Sequence, residues 1–293
     1  MNYTIGNELL TVTATERGAE LQSILGSDGT EYLWQGDTAY WGDRAPNLFP
    51  YVARLTEGSY YLDGRRYQMD IHGLAPYLSF QLEEQTRERM VFLLTDNGET
   101  YRQYPRHFDF RVIYELRKNS LEITYQVDNR DRRTMYFGLG GHPGFRVPLA
   151  QGVGFEDYRL RFSDPCQPRR VGFTEQCFRN GEESDFPLED GQVLCLKHDL
   201  FDEDAIVLKH IARQVTLETE KDGHSVTVSF PGMDYLGLWH WPGKTAPYIC
   251  LEPWCSLPSI QDEIAEFERQ PDLIALKPKE RYTNCWSIRI GEI

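Results

Sequence analysis

The stretch Ser120-Leu-Glu-Ile-Thr-Tyr-Gln-Val-Asp128 sets Leu121, Ile123, Tyr125 and Val127 on one face and Glu122, Thr124 and Gln126 on the other. Side chains alternate across a strand, so this is a strand with one dry and one wet face, the pattern of an antiparallel sheet. The reading extends outward to other short segments rich in β-branched and aromatic residues: Glu8 to Thr15, Ser59 to Met69, Met90 to Thr95, Phe108 to Leu116, Ala205 to Lys209, Gln214 to Thr219 and Ser225 to Phe230. Turn signals such as Asp63-Gly64 and Asp222-Gly223 join strands directly, without the amphipathic helices that a parallel α/β sheet needs. The predicted fold is all-β: one large antiparallel β-sandwich with very few short helices. The one convincing helix begins near Ser259 and runs through Glu263 and Ile264 to about Phe267. The segment from Ala150 to Leu200, with several Pro and Gly and weak alternation, reads as a long excursion over one face, of the kind that borders a binding site.

Aromatic residues are spread along all 293 positions, and no linker, low-complexity tract or fixed-period repeat divides them, so residues 1–293 read as a single domain. A formal charge of -14, with no block of five Lys or Arg, opposes binding to nucleic acid or to an anionic membrane surface. The same charge also serves solubility and identifies no partner by itself. Residues 1–10 lack the basic and apolar pattern of a secretory signal, and no stretch reaches membrane-spanning length, so a cytoplasmic location is expected. The six cysteines show neither C-x-x-C nor a regular spacing with His; free thiols are expected instead of disulfides or zinc.

Four segments combine a reactive side chain with tight-turn residues and aromatics: residues 44–54, His72-Gly-Leu-Ala, Gly140-Gly-His142-Pro-Gly-Phe145 and Ile249-Cys-Leu-Glu252-Pro-Trp254. Glu252 follows a run that reads as a buried strand, and Pro253, which has no N–H for a ladder, marks that strand's end. Partial desolvation there would raise its pKa toward the range of a general base, and Trp254 would offer an apolar platform to a pyranose. His142, between glycines and a proline, sits in a turn that a ligand can approach, and imidazole exchanges protons near neutrality. His72 closes a strand beginning near Tyr67, and the planar fork of Arg54 suits vicinal hydroxyls or a ring oxygen. Read singly, Glu252 serves equally as a strand-end partner for an arginine, His142 as a turn histidine bonded to backbone, and the other two as ion pairs or caps. G-x-S-x-G, Walker, G-x-G-x-x-G and H-E-x-x-H motifs are absent, and one well-placed carboxylate with histidines falls short of the carboxylate pair of a glycosidase. Proton shuttling without a cofactor or metal fits this inventory.

On these segments, together with Arg17-Gly-Ala-Glu-Leu21, Pro46-Asn-Leu-Phe-Pro50 and Trp286-Ser-Ile-Arg-Ile290, the chain resembles the aldose 1-epimerase (galactose mutarotase-like) family, in particular its LacX-like branch. The resemblance runs over nearly the whole length, and the order and joint spacing of the motifs make it specific. It implies a galactose mutarotase-like supersandwich that interconverts the α and β anomers of a free hexose. By the resemblance, Glu252 is the general base and His142 the general acid, while Arg54, His72 and an Asp bind the sugar. That Asp is placed at Asp204, with Asp202 as its rival. Where the better-known mutarotases carry an Asn before the matching Arg, this chain has Val52-Ala-Arg54. Two other readings stand beside this one: a hexose 6-phosphate epimerase with Arg44, Arg102 and Arg106 as a phosphate clamp, and a carbohydrate-binding sandwich without turnover. A small-molecule sugar substrate is the expected partner, with no nucleic acid or membrane, and the protein is expected to be a monomer or homodimer.

Overall fold

The computed structural model describes residues 1–291. A nine-stranded sheet orders Val193–Cys195, Tyr158–Phe162, Gln214–Thr219, Asp222–Ser229, Arg281–Ile290, Ser120–Asn129, Phe108–Arg117, Arg89–Thr95 and Gln81–Gln85. At its centre the predicted alternation holds: Leu121, Ile123, Tyr125 and Val127 are fully buried and face Leu116, Tyr114, Val112 and Phe110 on the neighbouring strand. A slip of one residue would expose these four side chains at a cost of about 1.5–3 kcal/mol each for the aliphatic ones, which fixes the register.

The opposing sheet orders Arg179–Asp185, Arg169–Phe173, Ile206–Lys209, Tyr235–Trp239, Tyr248–Trp254, Gly140–Gly141 and Asn47–Leu48, with Gly144–Arg146 also paired to Tyr248–Trp254. Smaller sheets flank the two, one of them the N-terminal Asn2–Gly6, Leu10–Thr15 and Leu21–Gly26. Strand Tyr248–Trp254 is buried throughout, yet its two faces differ. Ile249 and Leu251 join the main core, where they pack with residues of the nine-stranded sheet. Tyr248, Cys250, Glu252 and Trp254 alternate onto the other side, away from that core. The main core runs from Ile5 to Ile290. No helix among the described residues is long and apolar enough to cross a membrane.

Three expectations are corrected. Residues 259–267 are not helical. Ser259 Oγ accepts from Thr56 N–H, Gln261 N–H bonds to Arg179 C=O, and Ala265–Glu266 pairs in parallel with Tyr60 and Tyr61. The backbone groups a helix would use are committed to other segments, and tertiary pairing overrides propensity. Among the described residues the α-helix is instead Gly98–Gln103, started by a capping box between Asn97 and Thr100. The second correction concerns residues 150–200, which form no loose excursion. They supply strands Tyr158–Phe162, Arg169–Phe173, Arg179–Asp185 and Val193–Cys195 to the edges of both sheets. Strand Arg179–Asp185 is polar along almost its whole length because it is an edge with little to bury, which hides it from a hydrophobicity pattern. Third, Pro253 does not end its strand, which continues through Trp254.

Candidate active site

The pairing of Tyr248–Trp254 with its flank creates the site. Gly140 lies opposite Trp254 and Gly144 opposite Cys250, which sets position 142 opposite 252 in the same antiparallel register. The ladder between them is interrupted: Leu251 N–H bonds to Pro143 C=O and Cys255 N–H to Leu139 C=O, while Pro253, midway, has no N–H to give. Opposed residues project to one face with their Cβ atoms close together. His142 Nε2 and Glu252 Oε2 accordingly stand 3.2 Å apart, both side chains buried. On the other flank Glu252 faces Gly237, where an added Cβ would come within 3.2 Å of Glu252 Cβ and 3.1 Å of the Trp254 ring. The absence of a side chain there leaves room for the carboxylate.

The pair opens into a cavity of about 290 Å³. Its wall includes Arg54, His72, His142, Asp204 and Glu252, together with Trp41, Tyr77, Phe173, Cys177, Trp239, Trp241 and Trp254. Asp202 is exposed and lies off the wall. His72 falls in a turn beyond the strand Arg65–Gln68 instead of closing it. Its φ of 66° and that of Ala53, 57°, are left-handed, and the two residues tie each other down: His72 N–H bonds to Ala53 C=O at 2.9 Å, and Ala53 N–H donates to His72 Nδ1 at 3.2 Å. Backbone strain of this sort, held by its surroundings, gathers at functional sites.

Asp204 is held by Trp239 Nε1–H on Oδ1 and by Cys177 Sγ–H on Oδ2, each at 2.7 Å. Burial and the Asp204 carboxylate together push the Cys177 thiol up to about 11, so it stays a donor. Arg54 is solvent-exposed at the wall. Around His142 the aromatics are ordered: Trp41 stacks on it at 4.8 Å, and His72 and Trp239 meet it edge-on at 5.3 and 5.8 Å. Sequence reading missed Trp41, Trp239 and Cys177. The run Trp41-Gly-Asp-Arg44, just before the segment singled out, and the triplet Trp239-His-Trp241 were the available signals.

Burial drives both members of the pair toward neutrality. Glu252 is raised well above the usual carboxylate range by desolvation and then by the Asp204 charge, with the Trp254 indole opposing. His142 is lowered well below its ordinary value by desolvation and then by His72. His142 Nδ1 and Trp254 Nε1 are buried with no hydrogen-bond partner among the described residues, and Glu252 Oε2 approaches His142 Nε2 without hydrogen-bond geometry. A buried polar atom left unpaired costs about 1–3 kcal/mol, so such atoms gathered at one spot mark a site built to meet a polar ligand. The pair is also part of a group of metal-ligating donors, His142, Cys250 and Glu252.

The arginines considered as a phosphate clamp do not converge here. Arg106 is buried in a two-pronged pair with Asp63, Arg44 bonds to Gln22 C=O and Gln35, and Arg102 lies in the helix Gly98–Gln103; none lines this cavity.

The family model for aldose 1-epimerase matches residues 1–289. The chromosomal protein LacX of Lactococcus lactis subsp. lactis is 33% identical over 299 residues, covering 99% of each chain. A galactose mutarotase related enzyme from Lactobacillus acidophilus, solved by X-ray crystallography, matches with a TM-score of 0.95 at 33% identity over 100% of this chain and 98% of that one. A galactose mutarotase-like protein from Lactobacillus casei ATCC 334 matches with a TM-score of 0.93 at 32% identity over 99% of this chain and 100% of that one.

Proposed function

The chain belongs to the aldose 1-epimerase family, and from that premise we propose that it is a mutarotase, exchanging the α and β anomers of a free hexose by ring opening and reclosure. The observation that carries this reading is the 3.2 Å approach of His142 Nε2 to Glu252 Oε2 on a cavity wall. The two oxygens that must exchange protons, the C1 hydroxyl and the ring oxygen, hang on one carbon. An acid and a base that serve both at once must therefore themselves be near neighbours.

In the forward direction Glu252 takes the proton from the C1 hydroxyl while His142 delivers one to the ring oxygen. The C1–O5 bond breaks, the aldehyde forms, the C1–C2 bond rotates, and closure with the roles reversed gives the other anomer. Ring opening starts from imidazolium and carboxylate and ends at imidazole and carboxylic acid. The total number of protons on the pair is the same in both states, so the couple acts as one unit. The neutral arrangement favoured by burial is the state that follows ring opening, and it is poised to run reclosure.

His72 uses Nδ1 as an acceptor, which leaves Nε2–H free to donate to a sugar oxygen. Arg54 and Asp204 supply a donor fork and an acceptor edge for hydroxyls, and the tryptophans present faces on which a pyranose can lie. An unphosphorylated sugar is favoured, because Arg54 is accompanied on the wall by Asp43, Glu203, Asp204 and Glu252.

NMR saturation exchange or polarimetry on glucose and galactose tests the proposal. The parent protein accelerates anomer exchange, and Glu252→Gln and His142→Ala each lose about 10²- to 10⁴-fold. Saturable sugar binding with no acceleration by the parent would instead establish the binding-module reading. A salt-sensitive preference for glucose 6-phosphate would reinstate the phosphate version.

A further inference from the structure

The His142–Glu252 couple has a third donor beside it that proton transfer does not use. Cys250 precedes Glu252 by two residues on the same strand, so the pleat points its thiol to the same face, and it is fully buried. One ligand atom from each of His142, Cys250 and Glu252 lies within 4.8 Å of the others. Imidazole, thiolate and carboxylate are the three donor types of zinc chemistry, and three protein ligands with an open fourth position is a common zinc arrangement. Tetrahedral coordination with bonds of about 2.0–2.3 Å brings ligand atoms to roughly 3.5 Å apart, so the group needs to contract by about 1.3 Å at its widest. A second observation points to a ligand at this spot: His142 Nδ1 is buried and unpartnered, and Glu252 Oε2, also buried, makes no hydrogen bond and has the His142 imidazole 3.2 Å away. The sulfur donor selects a thiophilic ion over Mg²⁺ or Ca²⁺.

We propose that His142, Cys250 and Glu252 form an inhibitory site for a thiophilic divalent cation, Zn²⁺ or Cd²⁺, with the fourth position open to the cavity. On binding, the Cys250 thiol and the His142–Glu252 couple each release one proton to solvent, sulfur, nitrogen and oxygen each donate a lone pair to the metal, and no electron is transferred. Metal and sugar exclude each other, because the ion takes the nitrogen and oxygen that would face the anomeric centre. Inhibition rests on the mutarotase reading; binding of the ion does not.

The experiment titrates the full chain with Cd²⁺, following the near-ultraviolet thiolate-to-cadmium absorption, and with Zn²⁺, following anomer exchange. One equivalent of Cd²⁺ produces the absorption in the parent and in Cys177→Ser, whose thiol also lines the cavity, but not in Cys250→Ser or Cys250→Ala. Those two Cys250 variants keep basal anomer exchange and need about 10-fold or more additional Zn²⁺ for half-inhibition. The proposal is overturned if the parent gives no absorption, if the absorption survives in the folded Cys250 variants, or if Zn²⁺ inhibits them as it does the parent. If the parent binds Cd²⁺ through Cys250 yet never exchanges anomers, the metal site stands and the mutarotase reading falls.

Discussion

Ala53 and His72 hold one another in left-handed backbone conformations: His72 donates its N–H to Ala53 C=O, and the Ala53 N–H returns to His72 Nδ1 at 3.2 Å. The return bond settles the imidazole tautomer, since a ring nitrogen that accepts carries no proton. Burial, followed by the Arg54 charge, pushes the pKa of His72 down to about 4. The side chain is therefore a neutral donor at neutral pH, unable to replace His142 as the acid. Nitrogen-15 NMR should find the Nε2–H form of His72, protonating only near pH 4; titration at the ordinary histidine value would refute this. His72→Ala should lower kcat/KM by about 10-fold, the loss of one good hydrogen bond to substrate.

The pH dependence of the pair follows from the directions of its two shifts. The working couple holds one proton in all. It gains a second on His142, whose affinity for protons burial has lowered, and loses its only one from Glu252, whose affinity burial and Asp204 have raised. The profile of kcat/KM should be a wide bell whose acid limb lies below the ordinary histidine value. Asp204→Asn removes a negative charge that raises Glu252, so the alkaline limb should move to lower pH. An alkaline limb that stays in place while activity drops would reduce Asp204 to a sugar contact alone.

Gly73 secures the turn that presents His72. Its φ is +83°, and a Cβ built on it would collide with the backbone carbonyl of Phe49, which has no side-chain freedom to yield. Gly73→Ala should cost about 1–3 kcal/mol in denaturant unfolding. Its kcat/KM should also fall toward that of His72→Ala. Unchanged stability would mean that the turn can rebuild.

Local chemistry made Glu252 and His142 candidates, because a carboxylate beside a proline and an imidazole between a glycine and a proline depart from ordinary strand composition, while their roles came from the resemblance. Their opposition in one register was not legible, since it depends on pairing between segments about a hundred residues apart. Trp41 and Trp239 passed unremarked for a different reason: in a chain this aromatic, a tryptophan in the core and one on a cavity wall have the same local signature. Cys177 lies at a hairpin between Arg169–Phe173 and the edge strand Arg179–Asp185, whose polar residues disguised them as loop. Residues 259–267 show the reverse error, a locally helical composition defeated by bonds to Thr56 and Arg179 and by pairing with Tyr60.

His224 joins two parts of the molecule by electrostatics. Its Nδ1 contacts Asp222 at 2.5 Å and its Nε2 contacts Asp28, in the N-terminal part of the chain, at 2.9 Å. These carboxylates raise the pKa of His224 against the opposing effect of burial, while hydrogen bonds to Thr30 and His224 bring Asp28 down to about 2. A histidine whose folded pKa exceeds its unfolded one contributes stability fully at pH below the unfolded value and loses it as pH rises through the folded value. For Asp28 the sign is opposite: its contribution is present above the usual Asp pKa and disappears as pH falls toward 2. The two windows overlap at mildly acidic pH. His224→Gln should therefore lower Tm most in that range, with the difference from the parent narrowing as the solution becomes alkaline. A difference that is the same at every pH would assign His224 a packing role against Tyr32, whose ring lies 6.1 Å away.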